Sequence, residues 1–268
     1  MIFSLSLKSK KRFCVLLLLS FLIAACVSHV KELREAQSQF NQAASLENEL
    51  QIAMEAGDAI AMSAMVNSSY RQTVKILSDL LDTKRQPLQE DNLLGTAYTL
   101  KAYAEWRLGD YEAAVTTSTA ALEAKLFPRD LALITALRGL IKNDQAYYHM
   151  QEKDYGYRDI KTLLNEALED ISKGLTTAGK EDNIRIYLLL SELIVLKNWT
   201  DLRGEPRQFA REIPADFNTQ REISAWCGSA QPVWAVFQEE VKRLRPDEAP
   251  ALTREWSRKL AVVETCSE

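Results

Sequence analysis

Apolar residues recur at intervals of three and four along most of this chain, the period at which one face of an α-helix meets a core. From His29 to about Glu55, the positions Val30, Leu33, Ala36, Phe40, Ala43, Ala44, Leu50 and Met54 keep that period and predict a long amphipathic helix. Gly57-Asp58 breaks it. A second helix is predicted over Ala59–Leu81, then a polar loop from Asp82 to Asn92 around Pro87. Between Leu94 and Phe127, two helical patterns flank a sharp turn at Gly109-Asp110. Ala102, Ala104, Trp106 and Leu108 stand before the turn, and Tyr111, Ala114, Val115, Ala121 and Leu122 after it. Further helices are predicted over Leu131–Met150, opened by Pro128-Arg129-Asp130, and over Asn183–Trp199.

Beyond Gly204 the character changes, because Pro206, Pro214, Pro232, Pro246 and Pro250 fall there together with Trp226, Trp234 and Trp256. Shorter helices are expected: about Thr219–Trp226, Pro232–Leu244 with its proline in the first turn, and Ala249–Val263. The pattern is that of an all-α protein.

An internal repeat lies beneath this pattern. Tyr70, Tyr111 and Tyr157 each open a similar frame, with Thr73, Ala114 and Ile160 three residues on and Leu80-Leu81, Ala121-Leu122 and Ala167-Leu168 ten and eleven residues on. In the middle frame, small residues let two helices approach and Gly109 can take the left-handed conformation that closes a helix. With Ala102, Ala104, Trp106, Gly109-Asp110-Tyr111, Ala114, Val115 and Ala121-Leu122, and Pro128 near the expected end, this unit resembles one tetratricopeptide (TPR) repeat. The spacings of 41 and 46 residues between frames exceed the roughly 34 of a standard unit. The resemblance implies a stack of helical hairpins over about 26–204, each covering the apolar face of the last, with 205–268 as a helical cap on the final face. It also implies a scaffold that presents a concave surface to another protein, lined by the first helix of each hairpin. Tyr98, Lys101 and Glu105 on the first helix of the best-matched repeat are therefore the partner-binding candidates. The aromatic set Tyr98, Tyr103, Trp106, Tyr147 and Tyr148 either lines such a groove or belongs to the core.

The N-terminus supplies an address. Lys8, Lys10, Lys11 and Arg12 precede an apolar run of 11 residues from Phe13 to Ile23, which is the pattern of an export signal. That run is shorter than the roughly 20 residues needed to span a bilayer. Ile23-Ala24-Ala25-Cys26 resembles the lipobox of bacterial lipoproteins. The resemblance implies cleavage after residue 25, a signal peptide over 1–25, and lipid attachment at Cys26; an ordinary secretory signal with an incidental cysteine is the alternative. Multiple acyl chains would hold the protein on a membrane stably. Val27 stands where that family's inner-membrane retention signal carries Asp, so the expected location is the periplasmic face of the outer membrane.

With Cys14 lost in the signal and Cys26 taken by lipid, Cys227 and Cys266 remain. They are either one disulfide, as an oxidising compartment favours, or two buried thiols. Neither belongs to a C-x-x-C pair of the kind that holds zinc or cycles redox state. The body from residue 26 carries 29 Lys and Arg against 37 Asp and Glu, a net charge of −8. An acidic body with no basic stripe disfavours nucleic acid as a partner.

Chemistry-bearing patterns are sparse. His29 is expected in the tether after the lipid site, and His149 has no second histidine to help it hold a metal. Glu90-Asp91, Glu181-Asp182 and Glu239-Glu240 could serve a glycosidase in principle, but the first two pairs are expected at helix starts and the third on a solvated face. There is no G-x-S-x-G, P-loop or H-E-x-x-H. The expectation is a protein with no cofactor, no metal and no catalysis of its own, bound to an envelope protein or peptide. A small-ligand-binding component serving an envelope transporter is the first alternative, and a cell-envelope hydrolase the second.

Overall fold

The computed structural model describes residues 28–50, 59–179, 184–261 and 266. The expected signal peptide over 1–25, Cys26, the Gly57-Asp58 break, Glu181-Asp182 and Val263 lie outside the described residues. Among those described, every regular element is an α-helix: α1 (28–50), α2 (Ala59–Glu90), α3 (Leu94–Arg107), α4 (Tyr111–Glu123), α5 (Pro128–Glu152), α6 (Tyr157–Thr177), α7 (Ile184–Gly204), α8 (Pro206–Phe209), α9 (Thr219–Leu244) and α10 (Ala249–Leu260). The all-α reading of the sequence is the observed fold class.

The described residues divide into two compact units, one reaching residue 110 together with 123–125 and one of 111–122 together with those from 126 on. The division falls at the Gly109-Asp110 turn, so α3 belongs to the first unit and nearly all of α4 to the second.

In the first unit, α1 buries Leu33, Ala36 and Ala43, one stripe of the predicted period. Leu33 and Ala36 join Leu77, Leu80, Leu81 and Leu88 of α2 and Leu94 and Ala97 of α3 in one cluster. Ala43 joins Val66, Tyr70 and Ala104 in another, with Phe40 set edge-on to Tyr70 at 5.6 Å. The expected loop from Asp82 to Asn92 is largely helical. Leu88 is fully buried and continues the stripe of Leu77, Leu80 and Leu81, which gives this segment a reason to stay wound. Lys84 breaks the helical geometry, and Pro87 then falls in the first turn of the resumed helix, where an amide has no partner to lose. Asn92, at φ 58°, closes the helix as Leu93 N–H returns to Leu88 O at 2.7 Å. His29 is no tether residue: it is buried in α1 with Nε2 2.8 Å from Asp91 Oδ2. Asp91 stands just past the C-terminal end of α2, not at a helix start.

The Gly109 turn has the geometry the sequence demands. Gly109 takes φ 77°, its N–H bonds Trp106 O at 2.9 Å, and Asp110 N–H bonds Glu105 O at 3.0 Å, a Schellman closure.

In the second unit, α5 and α6 form a close antiparallel pair. A Cβ on Gly139 would stand 2.6 Å from Ala167 O, and one on Gly174 would stand 2.8 Å from Ala132 O, so each helix uses a glycine to admit the other. Asp170, buried on α6, accepts from Arg138 Nε at 2.8 Å and lies 3.0 Å from Lys142 Nζ, which ties the pair by charge as well as by shape. Asn198 of α7 donates to Asn143 of α5 at 2.9 Å in the interior. The expected break between Trp226 and Pro232 is absent: α9 runs unbroken, because Trp226, Ala230, Trp234, Phe237 and Val241 form one buried stripe across the proline. Such burial offsets the roughly 3 kcal/mol or more that an interior proline costs. α9 and α10 both lie against α7.

Candidate functional site

Helices α6, α7 and α9 of the second unit build a concave feature with a mixed polar and apolar lining. At one end Lys161 Nζ of α6 lies 2.5 Å from Glu222 Oε2 of α9. At the other, Arg185 of α7 donates to Leu175 O of α6 and to Glu240 of α9, both at 3.1 Å. These contacts fix the geometry. α6 and α9 run in the same direction, α7 runs against them behind, and the space between the two outer helices stays open as a groove of about 650 Å³.

The periodicity of α6 decides which side chains face it. Lys161, Asn165, Leu168, Glu169 and Ser172 share the helix face opposed to the groove, while Ile160, Leu164, Ala167 and Ile171 turn to the core. On α9 the corresponding residues are Ala225, Ser229, Pro232 and Val233, and Trp199 of α7 closes the floor. Leu168, Trp199, Ala225, Pro232 and Val233 make an apolar strip flanked by amide, hydroxyl and carboxylate groups. Pro232 adds a local polarity, since it has no N–H to offer the carbonyl of Gly228 one turn back.

The buried charges of α7 lie behind the same groove. Glu192 is 1 % exposed; burial pushes its carboxyl up to about 7, against a hydrogen bond to Ser172 and the nearby Arg185 that favour the ionised form. Its Oε1 has no hydrogen-bond partner among the described residues. Trp199 is 5 % exposed, and Arg203, one turn further on, stacks 4.3 Å over Trp226. Tyr157 donates to Glu222 at 3.1 Å; burial, then the adjacent carboxylate, hold its hydroxyl well above the usual phenol range. Phe217 meets the Tyr157 ring edge-on at 5.1 Å.

The residues favoured by sequence lie elsewhere. Tyr98 is half-buried against the α1–α3 core. Lys101 Nζ lies 2.6 Å from Glu105 Oε1, and Glu105 is 4 % exposed, so the two are a largely buried ion pair and not free surface charges. One helical turn separates them, as the spacing required, but the face they share turns inward. Of the aromatic set, Tyr103 packs at 6.1 Å from Trp106 in the first unit, while Tyr147 and Tyr148 are exposed on α5 in the second. Cys227 and Cys266 stand with their Cα atoms 5.5 Å apart and their sulfurs bonded. His149 pairs with Asp154 at 2.8 Å and stacks on Tyr155 at 3.5 Å. Among the described residues no group of three His, Cys, Asp or Glu is placed to hold a metal ion.

Sequence reasoning missed the groove for an identifiable reason. Asn165, Ser172, Ser229 and Val233 carry no motif, and only the pairing of α6 with α9 across α7 brings them together with Leu168. Trp199 was the one accessible signal, an indole on a strongly apolar helix. Comparison of the chain with protein-family models, with curated proteins and with solved structures finds no match.

Proposed function

We propose that this chain is a non-enzymatic lipoprotein of the bacterial envelope, anchored through Cys26 on the periplasmic face of the outer membrane, which holds another protein in the α6–α9 groove. The observation that carries the reading is the groove itself: an apolar floor flanked by polar walls, built on three packed helices that hold it open. A surface of this kind suits a polypeptide segment, whose side chains want the floor and whose backbone wants the polar walls. A TPR-like stack closed by the C-terminal helices is the architecture proposed with it. Supporting that architecture, Thr73, Ala114 and Ile160 are all fully buried, as are Leu80, Ala121 and Ala167, so the three frames share an inward register. Tyr111 and Tyr157 also open helices, whereas Tyr70 lies well inside α2.

The test is crosslinked capture from intact membranes. The native protein should capture a discrete envelope protein, and Val233→Asp, which puts a charge in the apolar strip, should reduce capture at least several-fold with little change in melting temperature. Cys26→Ala should abolish lipid labelling and move the protein to the soluble periplasmic fraction. Capture by none of these forms would sink the scaffold reading. A second reading, a small-ligand-binding component serving a transporter, is favoured by the groove volume, which falls within the roughly 300–1,000 Å³ common for ligand sites. Ligand-induced thermal shifts in the absence of a captured protein would select it.

A further inference from the structure

Charge is unevenly compensated along the groove. Shielded cations elsewhere in this unit have carboxylates: Arg138 and Lys142 share Asp170, Lys161 holds Glu222, and Arg185 holds Glu240. Arg203 has no ion pair among the described residues, and its Nε is buried without a hydrogen-bond partner. Burial also pulls its pKa down, the mark of a guanidinium that has lost water without gaining a counter-ion. Glu222 is already engaged by Lys161 at 2.5 Å and Tyr157 at 3.1 Å, so it is not free to compensate Arg203. Arg221, which also faces Tyr157, is paired with Asp216.

The Trp226 ring holds the guanidinium plane of Arg203 from one side. A stacked guanidinium presents its N–H donors edgewise in a fixed fork, the arrangement that grips a carboxylate. Arg203 follows Trp199 by one helical turn, so it continues the floor line beyond the apolar strip. Towards the opposite end Glu169 lines the α6 wall, exposed and with no ion pair among the described residues. Lys161 and Glu169 are eight residues apart on α6, about 12 Å, which roughly three to four residues of extended chain would span. Asn165, Ser172 and Ser229 offer amide and hydroxyl groups on the walls between.

The geometry points to one occupant, and the inference rests on the scaffold reading above: an extended peptide segment with an acidic side chain on Arg203, a large apolar side chain over Trp199 and Leu168, and a basic side chain at Glu169. The order is set by the groove. Acid, apolar and base must succeed one another at alternate positions, since neighbouring side chains of an extended chain point to opposite faces.

The experiment is fluorescence anisotropy on the full-length protein in detergent, with labelled pentapeptides Glu-Thr-Z-Thr-Lys in which Z is Leu, Phe or Trp. At least one should bind saturably. Replacing its Glu by Gln should weaken binding about tenfold on the native protein. In Arg203→Gln the two peptides should bind alike, and in Arg203→Lys the preference for Glu should be partly kept. In Glu169→Gln, the loss on changing the peptide Lys to norleucine should disappear. Melting temperature and tryptophan emission verify that each variant is folded; if Arg203→Gln is not, Arg203→Lys and Glu169→Gln decide. A Glu preference undiminished by either Arg203 variant, or no saturable binding by any of the three peptides up to about 1 mM, overturns the proposal. Membrane capture that falls in Val233→Asp but persists unchanged in Arg203→Gln and Glu169→Gln would overturn this seat while leaving the scaffold reading standing. Capture lost altogether while the peptides still bind would remove the scaffold reading instead.

Discussion

A carboxylate at Glu192 is costly because burial takes its water away and one oxygen meets no donor, which together outweigh the Ser172 hydrogen bond and the nearby Arg185. The ordinary carboxyl value of 4.5 rises to about 7 in the folded chain. Between those values the folded state binds more protons than the unfolded state, so stability must fall as pH rises through this window. The contribution of the protonated group is whole below the ordinary value and is lost as pH passes about 7, a change on the order of 3 kcal/mol. Urea unfolding measured from about pH 5 to pH 8 should show this decline, and Glu192→Gln should flatten it. An equal slope in the variant would place the pH dependence elsewhere. Glu105 differs in kind, since Lys101 pairs with it directly at 2.6 Å. That pairing makes Glu105→Lys a stability change first, because it would set two ammonium groups together in a nearly buried place.

At the scale of helices, the same glycine substitution should have opposite signs at two sites. Gly174 faces Ala132 O across the α5–α6 interface, where a Cβ would stand 2.8 Å away, and Ala136 Cβ lies 3.0 Å off. Gly174→Ala should therefore destabilise by about 1–3 kcal/mol through overpacking. Gly228 in α9 meets nothing within 4 Å, so Gly228→Ala should gain about 0.5–1 kcal/mol of helix stability instead. Thermal unfolding of the two variants reads both signs at once; a stabilised Gly174→Ala would show that the helices can separate without loss. The elements also show where local signals yield to burial. Pro87 and Pro232 read as breaks, yet Leu88 and the Trp226–Val241 stripe keep α2 and α9 winding past them.

For the whole chain, the Cys227–Cys266 bond links α9 to the C-terminal end across 39 residues, enclosing α10 within the loop. Gln231 of α9 adds a bond to Cys266 O at 3.2 Å. On the chain-entropy account, closing such a loop stabilises by up to about 4 kcal/mol. Paired Cys227→Ser and Cys266→Ser changes should lower the urea midpoint accordingly, and non-reducing peptide mapping of exported protein should recover the linked pair. Two alkylatable thiols in that material would refute the bond. The acidic excess of the body belongs to this scale too, since it acts on any partner approaching from a distance and not through one contact.

Much of the secondary structure was determined by the sequence alone. Three-to-four spacing located the helices, Gly109 located a turn that only a residue tolerant of positive φ closes without strain, and the cysteine count singled out one pair. Those signals are local, or depend on a residue type that is rare. Tertiary structure decided what local rules could not: that α5 and α6, through Gly139 and Gly174, form a close-packed hairpin, that Lys101 and Glu105 turn inward, and that α6 and α9 flank a groove floored by Trp199. The physical reason is that a helix period defines a face but not what covers it. Exposure, charge compensation and concavity belong to pairs of elements, and they come into being only when those elements meet.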